Sequence, residues 1–136
     1  MNGTPMREIE RLARKAGRVL IVTADPEGWP HAATANSVRT IPERVLVVTG
    51  WFCPVTEANL ARNPRAAVIV WDETSGDGFQ AIGWREREDE IAAMNGYAPG
   101  LEDSGFPQIE RELRLRINRI LTFRHTRHTD EERMPT

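Results

Sequence analysis

The spacing of apolar residues changes after the first sixteen positions of the chain. Four apolar residues recur there at helical spacing: Ile9, Leu12, Ala13 and Ala16. Thr4 and Pro5 suit the start of a helix, and Gly17 suits its end. From Arg18 onward, Val, Leu, Ile and Thr form short runs that end at turn residues, which is typical of strands. The pattern predicts an amphipathic helix over 5–16 followed by a strand-rich region.

Six segments have the length and composition of strands: 18–24, 29–38, 44–49, 65–71, 79–87 and 117–125. A second, short helix is predicted over 56–64, with Thr56 as its N-cap and Asn63-Pro64 as its stop. Short turns join most neighbouring strands, so the pairing is expected to be antiparallel. The pattern therefore predicts a mainly β fold, a small closed six-stranded barrel with short flanking helices.

Other segments fit the strand pattern poorly. Asp89–Asn95 and Gln108–Leu115 each favour a short helix, with a Gly- and Pro-rich loop between them. We therefore expect 88–116 to be an insertion that could lie over a site like a lid, and the polar tail 129–136 to be frayed. Gly83, within the fifth predicted strand, indicates a bulge or a close backbone approach.

Composition narrows the class of protein. A chain of 136 residues suits a single domain, 1–136, and a net charge of −2 argues against binding to nucleic acid. The polar N-terminus and the short apolar runs predict a cytoplasmic protein without a membrane segment. The single cysteine, Cys53, excludes an intrachain disulfide. His125 and His128 have no third ligand near them in sequence, so no metal site is expected.

Three features point to chemistry, each with a structural alternative. A helix that begins at Thr56 directs N–H groups into the preceding loop and suits phosphate, although Glu57 opposes an anion there; the alternative is a helix that is simply well capped. The polar run Thr34–Ser37 interrupts an apolar strand, as a binding site or as an outward-facing edge. Cys53 is either a reactive thiol whose pKa the helix lowers or a small residue lining the loop.

With these stretches in order, the sequence resembles the FMN-binding split-barrel superfamily, which includes pyridoxamine 5′-phosphate oxidase. It is most similar to the small stand-alone FMN-binding proteins. The resemblance covers about residues 8–87, with a weaker similarity over 117–125. Four motifs carry it: Asp-Pro-Glu-Gly-Trp-Pro-His-Ala-Ala (25–33), Thr-Ala-Asn-Ser (34–37), Thr-Glu-Ala-Asn-Leu-Ala-Arg-Asn-Pro-Arg (56–65), and Trp-Asp (71–72) followed by Gly-Phe-Gln-Ala-Ile-Gly (78–83).

The resemblance implies a six-stranded antiparallel split β-barrel that forms a homodimer with FMN at the subunit interface. It also implies a flavin-dependent oxidoreductase that acts on a small-molecule redox substrate, with no catalytic side chain indicated. F420 is the alternative cofactor, and a non-catalytic carrier or sensor of FMN, F420 or a haem-related ligand is the alternative function. By position the cofactor would contact ten residues: Ala33, Thr34, Ala35, Asn36, Thr49, Gly50, Trp51, Val55, Thr56 and Gln80.

The sequence departs from the family's pattern at the expected phosphate site. Val55 replaces the family's phosphate-binding Lys, and Ala35 replaces an aromatic residue. Loss of one charged phosphate contact corresponds to about 1.5–3 kcal/mol. Arg39, or the partner subunit's Arg124, is a candidate replacement. A site that has decayed, leaving a dimer with an interaction role, is a third interpretation. Of the four tryptophans, Trp51 is expected near the cofactor and the others in the core.

Overall fold

The computed structural model describes residues 4–51, 53–90, 111–126 and 129–134, and only the backbone of 87–90. Two helices and eight strands occupy these ranges, and their bounds in chain order are as follows. They are α1 (Pro5–Ala16), β1 (Val19–Ala24), β2 (Pro30–Ala35), β3 (Ser37–Ile41), β4 (Val45–Trp51), α2 (Pro54–Arg62), β5 (Arg65–Trp71), β6 (Gly78–Glu90), β7 (Arg111–Arg124) and β8 (Thr129–Arg133). The fold is mainly β, as the sequence predicts.

One antiparallel sheet contains all the described strands. Their order is β2-β1-β5-β6-β7-β4-β3, and β8 lies beside β7. The two terminal strands, β2 and β3, are consecutive in the chain and are separated only by Asn36. The Asn36 N–H donates to the Thr49 carbonyl of β4 at 3.1 Å. The sheet therefore curls until one chain segment, 30–41, forms both of its margins.

The predicted count of six strands is wrong in two places. The second predicted strand, 29–38, is divided at Asn36 into β2 and β3. The tail that was expected to fray contains β8, which pairs with β7 from Ile120 to Arg124. β4 pairs with β7 only as far as Arg116. β8 therefore uses backbone groups of β7 that lie beyond the reach of β4, and this pairing does not require an apolar sequence.

The boundaries of the predicted insertion are also corrected. β6 continues to Glu90 and β7 begins at Arg111, so neither 88 nor 116 marks a boundary. The helix predicted over 108–115 is wrong from Arg111 onward, because those residues pair with both β4 and β6. The first two residues of the predicted helix 89–95 belong to β6. The rest of that helix and the loop after it lie outside the described residues.

The core lies inside the curled sheet and beneath α1. Along β1, Val19 and Ile21 are buried while their neighbours are only half-buried, which is the alternation of a strand with one inner face. α1 packs a buried stripe against β3 and β5, and Ile9 at its centre is fully buried. The helix ends at Gly17, whose φ of 79° permits its N–H to bond the Ala13 carbonyl. The predicted bounds of this helix are confirmed.

Gly83 has both of the features that its position in a strand predicts. The pairing of β6 with β7 shifts register between Ile82 and Gly83. A Cβ at Gly83 would collide with the carbonyl oxygen of Arg116. Glycine is therefore required where these two backbones approach. In the described part of the chain, the helices are too short or too polar to cross a lipid bilayer.

Candidate functional site

Three chain segments lie along β2 and at its end, and we call this region the junction. It consists of Thr34–Ser37 around the strand break, Thr49–Trp51 at the end of β4, and Cys53–Glu57 at the start of α2. β2 contacts both β4 and α2. The end of β4 thus lies against the break after β2, and the start of α2 lies against His31, near the beginning of β2.

A close approach between Gly50 and Asn36 holds the junction together. Gly50 has a φ of 76°, and a Cβ on it would lie 2.5 Å from Asn36 Nδ2. Nearby, the hydroxyl groups of Ser37 and Thr49 are hydrogen-bonded at 2.7 Å. Glycine is needed at position 50 both for its left-handed backbone and for the absence of a side chain. The end of β4 is therefore fixed against the break between β2 and β3.

Only part of the polar run presents side chains to solvent. Thr34 and Asn36 are exposed. Ala35 is 2% exposed and belongs to the core, and Ala33 lies half-buried on the same inner face. A ligand on the outer surface could therefore contact Ala33 and Ala35 only through their backbone.

The three tryptophans expected in the core are at least partly exposed, and Trp51 is buried. Trp51 is 1% exposed and packs in the core, so its ring is not a surface on which a ligand could stack. Its indole Nε1 has no hydrogen-bond partner among the described residues, which leaves a buried donor unsatisfied beside the junction. Trp29 and Trp84, which were expected in the core, are 71% and 42% exposed, and Trp71 is half-buried.

α2 begins earlier than predicted, which changes the role of Thr56. The helix starts at Pro54 with Cys53 as its N-cap, so the prediction that Thr56 is the N-cap is wrong. Proline is favoured at the first helical position because it has no N–H to satisfy. Thr56 is fully buried, and its Oγ1 lies 3.5 Å from His31 Nδ1. Val55 is exposed. Within the protomer, the Thr56 hydroxyl faces the imidazole of His31 and has no solvent exposure.

The donors at the start of α2 converge on the sulphur of Cys53. Burial of the thiol would raise its pKa. Hydrogen bonding from the Thr56 N–H and hydroxyl and from the Val55 N–H outweighs burial, so the pKa lies below its usual value. The first turn of α2 thus already stabilises one potential anion, the thiolate of this chain.

Arg111 is a basic residue of the junction that the sequence analysis missed. Its guanidinium binds the Glu57 carboxylate at 2.8 Å, and its side chain is 15% exposed. It also pairs with Trp51 across β4 and β7. The sequence analysis missed Arg111 because it placed residue 111 in a helix and not in a strand beside β4. Arg39, a suggested replacement cation, is instead bound to Glu112 at 3.3 Å.

Gln80 is not part of the junction within one protomer. Successive cross-strand partners lead from Thr34 to Leu20, then to Ile69, then to Gln80. Three strand spacings correspond to about 14 Å. Thr34 and Gln80 nevertheless lie on the same outer face of the sheet, because each is in register with the half-buried residues between them. Among the described residues, no group of three or more His, Cys, Asp or Glu could hold a metal ion.

Solved structures share this fold at low sequence identity. A protein from Clostridium acetobutylicum related to general stress protein 26 of Bacillus subtilis, of the pyridoxinephosphate oxidase family, has a TM-score of 0.66 and 13% identity, covering 94% of this chain and 92% of that chain. An FMN-binding protein from Syntrophomonas wolfei has a TM-score of 0.63 and 16% identity, with 87% and 85% covered. An F420 reductase has a TM-score of 0.60 and 18% identity, with 88% and 97% covered.

No family model and no curated protein matches the sequence. The likeness is one of fold, and it confirms the fold that the resemblance implies. The chain has the split-barrel fold of the pyridoxamine 5′-phosphate oxidase-like proteins.

Proposed function

We propose that this chain binds a flavin-type cofactor, FMN, at the junction and acts as a flavin-dependent oxidoreductase on a small molecule. One observation carries the proposal. The exposed Asn36, at the break between β2 and β3, lies directly against the glycine turn of β4, and the start of α2 follows that turn in the chain. The same fold occurs in a solved FMN-binding protein.

The residues of the junction suit the flavin ring and ribityl chain better than the phosphate. Thr34 and Asn36 offer an exposed hydroxyl and an exposed amide, and beside them the half-buried Thr49 hydroxyl is hydrogen-bonded to Ser37. Groups of this kind suit the polar edge of a flavin. When bound, the flavin would supply the electron chemistry, and these side chains would hold and orient it.

The residues at the expected phosphate position suit an anion poorly. The exposed Val55 brings no charge, and Glu57 adds a carboxylate that Arg111 offsets. Arg111 is the cation that would hold the phosphate. We therefore expect FMN to bind with modest affinity.

The outer face of β1, β5 and β6 supports a second part of the proposal. Its half-buried side chains are largely apolar: Leu20, Val22, Ile69, Trp71 and Ile82. Thr34 and Gln80 lie at either side of this patch. An apolar face of this kind favours burial against another protein surface. We propose that a second copy covers it, so that the cofactor lies between Thr34 of one protomer and Gln80 of its partner.

F420 is the second candidate cofactor, favoured by the likeness to an F420 reductase and by the loss of the Lys at position 55. If the bound cofactor undergoes no turnover with any electron donor, the same site would serve a carrier or sensor. Either cofactor would occupy the junction, so the same variants test both.

The experiment is a titration of the purified protein with FMN and with F420, followed by tryptophan fluorescence. The test variant is Thr34→Val, which removes an exposed hydroxyl group and nearly keeps the volume of the side chain. We expect FMN to quench the fluorescence and Thr34→Val to weaken binding by roughly 3- to 10-fold. Thr74→Val is the control, because Thr74 lies in an exposed turn outside the junction. The proposal fails if neither cofactor binds, or if Thr34→Val and Thr74→Val bind FMN equally well.

A further inference from the structure

A cysteine and a histidine face each other at the edge of the junction. Cys53 Sγ lies 3.9 Å from His31 Nε2, and the other ring nitrogen, Nδ1, lies 3.5 Å from Thr56 Oγ1. Both distances are at the long end of the contact range. The three residues come from β2, the cap of α2 and its first turn. Cys53 and Thr56 belong to the junction, but the contacts proposed for the flavin ring are made by Thr34, Asn36 and Thr49.

The scaffold around this cluster is fixed by buried polar contacts. His31 pairs across the sheet with Thr23 of β1. The Thr23 hydroxyl accepts a hydrogen bond of 3.0 Å from Asn59 Nδ2, which ties α2 to β1. Thr23, Asn59 and Thr56 are 2%, 6% and 0% exposed. The imidazole therefore lies between a buried hydroxyl group and a thiol, on elements that a buried hydrogen bond ties together.

We propose that Cys53 and His31 form a nucleophilic thiol–imidazole pair, and that Cys53 is a site of covalent modification by small soft electrophiles. His31 Nδ1–H donates to Thr56 Oγ1, and the Thr56 O–H donates in turn to the sulphur. This leaves the lone pair of His31 Nε2 facing the thiol, from which it takes the proton. A nucleophile, a base and a third group that orients the base are the parts that such a pair requires.

The exposure of Cys53 and the charges around it support its assignment as a nucleophile. Cys53 is partly exposed, and Pro54 and Val55 beside it are exposed, so a small reagent can reach the sulphur. The donors at the start of α2 favour the thiolate, whose pKa is lowered. Of the charged side chains described at this end of α2, Glu57 is bound to Arg111 and is thereby partly neutralised. Its repulsion of a thiolate is reduced accordingly.

The chemical step balances for two classes of reagent. With iodoacetamide, the sulphur forms a bond to the methylene carbon, the carbon–iodine bond breaks and iodide leaves with the bonding pair. The thiol proton stays on His31 until solvent removes it. With hydrogen peroxide, an S–O bond forms and the O–O bond breaks, giving a sulphenic acid. The sulphur is oxidised by two electrons, and the departing hydroxide takes the proton from His31 and becomes water.

The chain contains one cysteine, so the intact mass reports on Cys53 alone. The experiment measures the rate of alkylation by iodoacetamide from about pH 5 to about pH 9, in the folded protein and in the same protein unfolded in guanidinium chloride. We expect the folded protein to have the lower midpoint pH. Near pH 6.5 it should react roughly 3- to 10-fold faster than the unfolded chain, because a larger thiolate fraction outweighs the weaker nucleophilicity.

Matched variants test whether His31 changes the reactivity of Cys53 or only packs against it. His31→Gln should raise the midpoint pH toward that of the unfolded chain, whereas His125→Gln, which changes an exposed histidine in the turn after β7, should not. Thr56→Val should raise the midpoint and Thr56→Ser should restore it. Equal midpoints in the folded and unfolded wild-type protein would overturn the proposal, even if His31→Gln fails to fold. An unchanged midpoint in folded His31→Gln would also overturn it.

The peroxide arm identifies the second class of reagent. Treatment with hydrogen peroxide followed by dimedone should give one adduct on the folded wild-type protein, and a slower yield on His31→Gln. None of these measurements requires a bound flavin. Failure of the cofactor proposal would therefore leave this one intact, and the reverse also holds.

Discussion

Asn36 Nδ2 lies 2.5 Å from the point where Gly50 would carry a Cβ, so the end of β4 and the break between β2 and β3 are packed without room for a methyl group. Gly50→Ala should therefore lower the free energy of unfolding by about 2–4 kcal/mol, from left-handed strain together with overpacking. Unfolding in guanidinium chloride measures this loss.

Gly28 provides the matched control for that prediction. Its φ is 94°, yet nothing lies within 4 Å of an added Cβ. Gly28→Ala should cost only the strain, about 1 kcal/mol. Equal losses at the two positions would show that the contact with Asn36 contributes nothing.

The hydrogen bond between Asn59 and Thr23 should stabilise the attachment of α2 to the sheet. Thr23→Val keeps the volume but leaves the buried Asn59 amide without its acceptor, which should cost about 1–3 kcal/mol. In a double-mutant cycle with Asn59→Leu, the combined loss should be smaller than the sum of the single losses, because the double variant leaves neither group unpaired. Additive losses would mean that the two side chains do not interact.

The ion pair between Glu57 and Arg111 should control the affinity for a phosphate group. Glu57→Gln removes the competing carboxylate, so FMN should bind roughly 3- to 10-fold more tightly, and Arg111→Met should weaken FMN binding by a similar factor. Riboflavin, which lacks the phosphate, should bind all three proteins alike. If riboflavin follows the same trend as FMN, the effect arises from the fold of the junction and not from the phosphate.

Asp72 should give the protein a component of stability that depends on pH. The pKa of its carboxyl group is lowered, first by the Thr74 N–H and then by the Lys15 ammonium, which binds it at 3.1 Å. The folded state thus favours the charged form. The stabilisation is present above the ordinary pKa of aspartate, about 3.9, and is lost as the pH falls through the lower value of the folded state.

The variant that tests this is Asp72→Asn. It should have a lower Tm than the wild-type protein at neutral pH, and the difference should shrink below about pH 4. Because the group is exposed, added salt should reduce the part that comes from Lys15 and leave the part that comes from the Thr74 amide. A Tm difference that stays constant with pH would contradict the assignment.

Local signals in the sequence were sufficient for several elements. α1 has its predicted bounds because Thr4 and Gly17 act at the backbone of the helix itself. β5 also has its predicted bounds, from Arg65 to Trp71, because an apolar run lies between Pro64 and a polar turn. The antiparallel arrangement followed from the short connections between strands.

The elements that the sequence analysis missed are strands whose conformation depends on pairing with a neighbouring strand. Leu113 and Leu115 are fully buried and alternate with arginines, yet a short charged segment of this kind fits a helix equally well until β4 and β6 are known to flank it. β8 has a polar sequence and owes its strand conformation to the free side of β7. Arg111 is 54 residues from Glu57, and His31 is 22 residues from Cys53, so no local spacing could have revealed either contact.

One chain segment, 30–41, forms both margins of the sheet, and this affects how the proposed cofactor surface forms. Within this segment, β2 must pair in register with β1 while β3 pairs in register with β4. A slip of one residue between β3 and β4 would carry Asn36 away from Thr49, and a slip between β1 and β2 would turn Thr34 toward the interior. Closure of the sheet and formation of the surface at which we propose a cofactor therefore depend on the same strand register.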